Sequence, residues 1–343
     1  MRLSTRLGYG DNFQKSVERV VKLEERGVDV VWVSEAYGFD AATRLGYLAA
    51  RTKRMQIGSS ILNIYSRTPA MLAQTAAGLD ELSDGRAILG LGASGPQVIE
   101  GFHGVPYDRP VQRTREIMDI CRMIWRRDIL EYHGKAYTLP LPPVHGTGLG
   151  KPLKILTHPV RDRIPIYLAS MGDRSVELMA AQAEGWLPIF YVPELADQVW
   201  GAPLRRGLAK RDESLGPLEV LGGGVLAIGE GLEHLRDLER PHLALYVGGM
   251  GARSKNFYNE LVCRYGYERE AAEIQDLYLT GRKKEAEALV PADLLEKLSL
   301  IGPAGYVKDR IAAYRDAGVT LLDVQPIGSD PYGDVERVKE WVS

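Results

Sequence analysis

The positions able to carry chemistry in this 343-residue chain fall mainly at the ends of short apolar runs. In 166-IYLASMGDRSVELMA-180 a strand-like run passes through small residues and Gly172 into a helical pattern. Backbone N–H groups at such a helix start bind phosphate by direct hydrogen bonds and the helix dipole, and the competing reading is a tight turn capped by Asp173. Glu35 closes the apolar run 28-VDVVWVSE-35. A carboxylate there is used in catalysis, or it is a cap on the next helix or half of a salt bridge. His103, in 100-EGFHGVPYDRP-110, is a candidate proton donor, set against the packing role common for loop histidines. Gly90, Gly92 and Gly95 lack the full G-x-G-x-x-G spacing and the first-strand position of a dinucleotide site. His133, His145 and His158 show no metal-ligand spacing, and no metal site is expected. The absence of a P-loop and of a G-x-S-x-G elbow argues against NTPase and hydrolase chemistry. Cys121 and Cys263 have no partner spacing and read as ordinary thiols.

These positions need a scaffold that brings strand ends together. Runs at 3–10, 28–35, 56–62, 87–96, 165–170, 186–191, 218–229 and 319–326 read as eight strands, each but the last followed by a helix. The first helix, 12–27, is expected to be capped by Asp11. Continuous apolar runs suit parallel strands covered on both sides, and the alternation favours a (β/α)8 TIM barrel in one domain. Barrel geometry would gather Glu35, Asn63, Ser94, Ser170 and Tyr191 at one mouth. Two stretches interrupt the repeat. Residues near 128–164, after the fourth βα unit, are dense in Gly and Pro and read as an insertion over the mouth. Residues 232–300, before the last unit, read as a long helical insertion. There Tyr246, Phe257, Tyr258 and Tyr265 could shape a pocket, against ordinary helix packing, and Arg253 and Lys255 could meet an acidic group, against a solvated face.

A net charge of -2 with 26% charged residues offers no basic surface for nucleic acid, so the expected partner is a small molecule. No stretch is apolar for long enough to span a bilayer, and the N-terminal residues lack a signal-peptide core, which points to a cytoplasmic protein.

The segment from Gly58 to Pro110, with 165-PIYLASMGDRSVELMAAQAEGW-186 and 301-IGPAGYVKDRIAAYRDAGV-319, resembles the luciferase-like oxidoreductases that use the deazaflavin coenzyme F420. They form part of the bacterial luciferase-like monooxygenase superfamily, and GPQVIEGFHG resembles a mycobacterial-type subgroup of deazaflavin reductases. The resemblance implies a TIM barrel, a homodimer, and a deazaflavin at the C-terminal face. It implies a non-proline cis peptide at Ser60–Ile61 against the ring, with Asn63 nearby. It places Gly92, Ala93, Ser94 and Gln97 along the ring edge, and Ala169, Ser170, Met171 and Gly172 as the phosphate-binding turn. The implied reaction is hydride transfer between F420 and a carbonyl, imine or activated alkene, with Glu35 and His103 as candidate catalytic residues. The chain departs from the family's sugar-phosphate dehydrogenases, because Glu35-Ala36 and Gly95-Pro96 stand where those carry an acid-histidine pair and a second glutamate. The proton donor is then His103, Tyr107 or solvent. The alternatives are an FMN-dependent luciferase-like monooxygenase and a non-catalytic deazaflavin-binding protein.

Overall fold

The computed structural model describes residues 1–8 and 12–343. Eight parallel strands form the barrel: β1 Arg2–Arg6, β2 Val30–Val33, β3 Gln56–Ser59, β4 Ala87–Gly92, β5 Ile166–Ala169, β6 Gly185–Trp186, β7 Glu219–Ile228 and β8 Leu321–Pro326. Neighbours in sequence are neighbours in space. The ring closes where β8 pairs with β1 in the register Leu3↔Leu322 and β6 with β7 in the register Glu219↔Gly185. All residues of β2 and β4 are buried, as apolar runs covered on both faces should be. Side chains including Val30, Trp32, Ile88, Tyr167, Leu187, Leu221 and Leu321 pack together inside the barrel, so its lower half is core rather than channel.

Each strand but the seventh feeds directly into a barrel helix or a short loop before one: α1 Phe13–Glu25, α2 Ala41–Arg51, α3 Pro69–Leu82, α4 Pro110–Trp125, α5 Asp173–Gln182, α6 (Pro193–Ala196, Asp197–Gly201 and Ala202–Leu208), α7 Ala304–Asp316 and α8 Pro331–Val342. Thr68 caps α3 through Met71 N–H, with Pro69 in the first turn, the arrangement its Thr-Pro start announces. Helix α1 is capped by Asn12, whose side chain accepts from Lys15 N–H, and Asp11, expected in that role, lies outside the described residues. The last strand was expected to have no helix, yet α8 follows it, capped by Asp330 and burying Val335, Val338 and Val342. That i, i+3, i+7 spacing is one face of a helix.

The two insertions behave differently. In 128–164 a hairpin, Tyr132–His133 with Thr138–Leu139, lies along the outside of α4. The Glu116 carboxylate of α4 accepts from the N–H groups of Lys135, Ala136 and Tyr137 at 2.7–3.2 Å, and a Cβ at Gly134 would meet that carboxylate at 2.3 Å. The segment then returns to the lower rim, where Arg161 pairs with the buried Asp80 at the end of α3. It does not cover the mouth. The second insertion does reach it. Its Leu243, Leu261 and Ile274 join the same buried cluster as the barrel helices, and it returns through Leu300–Gly302, a strand beside the upper half of β7 in the register Leu226↔Leu300. Leu300 was expected to end a helical stretch. The upper half of β7, left without β6 as a neighbour, offers free backbone groups that this short apolar run satisfies.

Candidate active site

At the C-terminal ends of the strands lies a cavity of about 580 Å³. Three strand ends build one side of it: Ser60 and Ile61 after β3, Gly92, Ala93 and Ser94 at β4, and Ala169, Ser170, Met171 and Gly172 at β5. All nine were expected at the site, and the Ser60–Ile61 peptide bond is cis. The Ser59 hydroxyl ties β3 to β4, donating to Gly90 C=O at 2.8 Å and accepting from Gly90 N–H at 2.9 Å. A Cβ added at Gly92 would stand 3.1 Å from the Ile61 side chain and 3.3 Å from Ala169 Cβ. The glycine therefore keeps a narrow slot open between the two strand ends.

Beyond the slot, Gly172 is the cap residue of α5 and contributes no side-chain hydrogen bond. Asp173, the cap in the competing reading, is instead the first helical residue and lies 3.5 Å from Arg264. The leading N–H groups of α5 thus have no capping side chain, which is the condition for anion binding at a helix start. Two fully buried indoles set this turn: Trp186 donates to Ser170 C=O at 2.9 Å and Trp200 to Met171 C=O at 3.0 Å. Each holds a carbonyl from behind, and their role depends on distant elements meeting, which no local motif announces.

Five residues expected at the site or the mouth do not line the cavity. Glu35 is buried against Arg67, whose two terminal nitrogens donate to its oxygens at 2.9 and 2.7 Å, and it also accepts from Ala41 N–H at 3.3 Å. It is a paired helix-start carboxylate, the alternative reading given for it, and its oxygens are occupied. Asn63 is buried, and its oxygen accepts from Tyr65 and Ser66 N–H at 3.0 and 2.7 Å, fixing the turn before α3. His103 stands beside it, Nε2 lying 3.3 Å from Asn63 Nδ2. Gln97 is exposed on the short helix Pro96–Gly101, with Val98 facing the cavity in its place. Tyr191 is also turned away, donating to Ala317 C=O at 2.6 Å and stacking on Trp200.

The other side of the cavity is made of side chains. Tyr107, one of the donor candidates, lines it and donates to Ser94 C=O at 3.3 Å. Burial pushes its phenol pKa up, so it remains protonated and a donor. Tyr246, Met250, Phe257 and Tyr258 of the second insertion form a roof. Tyr246 and Tyr258 meet edge to face at 4.7 Å, so these rings both pack and line. Tyr265 only packs, donating to Phe190 C=O at 2.7 Å. Lys255 lines the cavity, whereas Arg253 pairs with Asp276 on an exposed face. Arg6 and Ser34, from β1 and after β2, complete the floor and were not singled out from the sequence. Among the described residues no cluster of His, Cys, Asp and Glu could hold a metal ion.

Comparison with known proteins agrees with this architecture. A family profile described as luciferase-like monooxygenase matches residues 1–321. A Mycobacterium tuberculosis protein with the provisional name coenzyme F420-dependent oxidoreductase is 38% identical, over 99% of this chain and 97% of its own length. The 5,10-methylenetetrahydromethanopterin reductase of Archaeoglobus fulgidus is 25% identical over 94% and 93%. The structure of the coenzyme F420-dependent tetrahydromethanopterin reductase of Methanopyrus kandleri superposes with a TM-score of 0.78 at 23% identity, covering 99% of this chain and 98% of that one, and establishes the barrel as a shared fold. The cavity at the strand ends, the sequence match along most of the chain and the common fold agree: this chain belongs to the luciferase-like monooxygenase family.

Proposed function

We propose that this protein is an oxidoreductase that transfers a hydride between coenzyme F420 and an organic substrate. The observation that carries the reading is the slot framed by Ile61, Gly92 and Ala169, with the uncapped start of α5 beyond it. A flat ring fits where three strand ends present backbone and small side chains, and a phosphate fits the free N–H groups beside Arg174. Ser60 and Ile61 would back the ring, Gly92 to Ser94 would follow its edge, and Ala169 to Gly172 would hold the phosphate. The relatives named for F420 support this choice. The bound deazaflavin supplies hydride chemistry. The chain's own contributions are orientation, exclusion of water by the aromatic roof, and hydrogen bonds from Tyr107 and the floor. Glu35, held by Arg67, is a structural acid in this scheme, and Tyr107, which lines the cavity as His103 does not, would donate to a substrate oxygen by turning its one O–H from Ser94 C=O.

Titration with F420 and with FMN tests the reading. F420 is expected to bind, and tight FMN binding with no F420 affinity would establish the flavin monooxygenase alternative instead. Gly92→Val, which fills the slot, should weaken F420 binding by more than about tenfold, the loss expected when two methyl groups intrude on a fitted ring. Reduced F420 offered with a panel of enones, imines and ketones separates an enzyme from a carrier: binding without turnover would favour the carrier. The same reading includes a cytoplasmic homodimer. Phe39, Met71 and Leu82 lie exposed on or beside α2 and α3 and supply an apolar face for it, and sedimentation equilibrium should return twice the chain mass.

A further inference from the structure

The floor of the cavity holds a guanidinium paired only along its inner edge among the described residues. Arg6 ends β1, and its Nε lies 2.9 Å from Oδ2 of Asp323 on the neighbouring strand β8. Both of these atoms are buried and neither makes a hydrogen bond, so the two groups are close but poorly aligned. The other Asp323 oxygen accepts from Ser4 Oγ at 3.3 Å and Gln325 Nε2 at 3.2 Å. Asp323 is 1% exposed, and burial pushes its carboxyl above the usual range, against the pull of Arg6. The Arg6 side chain is 39% exposed although its Nε is buried, so its outer end opens on the cavity that it lines. No acceptor among the described residues takes a hydrogen bond from either terminal nitrogen.

A guanidinium held along its inner edge and bare along its outer edge presents two parallel N–H donors, the geometry that matches a carboxylate. The field favours an anion as well. Among the described residues the cavity is lined by Arg6, Arg174 and Lys255 against Asp173 alone of the acids, and Asp173 has Arg264 beside it. Arg174 and Lys255 stand at the α5 turn and under the roof, while Arg6 stands on the floor. Leu187, Ile189 and Leu221 provide apolar wall in the same cavity.

We propose that Arg6 binds the carboxylate of the substrate, which is therefore an organic acid with an apolar body. The assignment to substrate rests on the function proposed above, in which the cofactor's phosphate occupies the α5 turn.

The test is calorimetric and needs no turnover. Naphthalene-2-carboxylate and its uncharged isostere naphthalene-2-carboxamide are titrated into the full-length protein, with and without saturating F420. The acid is expected to bind at least about tenfold more tightly than the amide, the range of a charge-assisted pair. Arg6→Met should bring the two probes to parity, Arg6→Lys should restore part of the preference, and both variants should keep F420 affinity. The double variant Arg6→Met/Asp323→Leu leaves no unpaired buried acid and should show the same parity, which guards against a folding defect. Equal binding of the probes to the unaltered protein, or binding of neither, overturns the proposal. So does a preference that survives Arg6→Met, or a loss of F420 affinity in that variant, which would assign Arg6 to the cofactor. An acid preference without F420 binding would sink the cofactor reading and leave Arg6 as a carboxylate site without its assignment to the substrate.

Discussion

The two insertions form a natural comparison, because each is fastened by one buried polar residue and yet only one reaches the cavity. In the first, Glu116 gathers three backbone N–H groups of the 134–137 turn and holds the hairpin against the outside of α4. In the second, Asn256 accepts from Tyr258 and Asn259 N–H at 2.9 and 3.2 Å and donates to Tyr246 and Val247 C=O at 3.0 Å each. It joins the two helical stretches that carry Tyr246, Phe257 and Tyr258 over the mouth. The Gly- and Pro-rich composition of the first suggested a lid, and the aromatics of the second suggested either a pocket wall or ordinary helix packing. Where a segment lies is set by the element that satisfies its backbone, not by its own irregularity.

The largest effect that would sharpen this contrast is expected from Asn256→Ala. It removes a cap and the Asn256 donor to Tyr246 and Val247 C=O, the second of which keeps Asn259 Nδ2 at 3.2 Å, for a loss of about 2–4 kcal/mol in urea unfolding. F420 affinity should fall with it, because the roof loosens. Unchanged affinity would show that the roof is no part of the binding site. Glu116→Gln should cost about 1–3 kcal/mol, since an amide cannot accept with both of its polar atoms, while F420 affinity at neutral pH stays within a factor of about two. A drop in affinity there would erase the distinction between the insertions.

The acid limb of stability gives a finer test. Burial raises the Glu116 pKa, but the hydrogen bonds from Gln112 and from the N–H groups of Lys135, Ala136 and Tyr137 outweigh it, and the net shift is downward. A depressed carboxyl contributes stability above its unfolded pKa, about 4.3, and loses it as pH falls through the lower folded value. The melting temperature of the unaltered protein should therefore fall more steeply below about pH 4.3 than that of Glu116→Gln. The smallest effect is expected at the tip of the first insertion, where Val144 and Leu149 are each 84% exposed. Replacing both by serine should change stability by less than about 0.5 kcal/mol and leave F420 affinity alone.

Much of this protein is legible in its chain. Apolar runs such as 87-AILGLG-92 and capped helices such as the Thr-Pro start of α3 fix the alternation, because backbone pairing and helix starts obey local rules. On the backbone-built side of the cavity, strand ends that point one way place Ser94 and Ser170, and the family resemblance supplies Ser60–Ile61, Gly92, Ala93, Ala169, Met171 and Gly172 beside them. What only the tertiary structure decided is the use of side chains. Glu35 and Asn63 stand at strand ends too, yet Arg67 claims the first and the turn at Tyr65 and Ser66 claims the second. Arg6 meets Asp323 from the far end of the chain, and Tyr258 arrives from an insertion. A hydrogen bond or an ion pair depends on a few ångströms between residues hundreds of positions apart, and no local pattern encodes that distance.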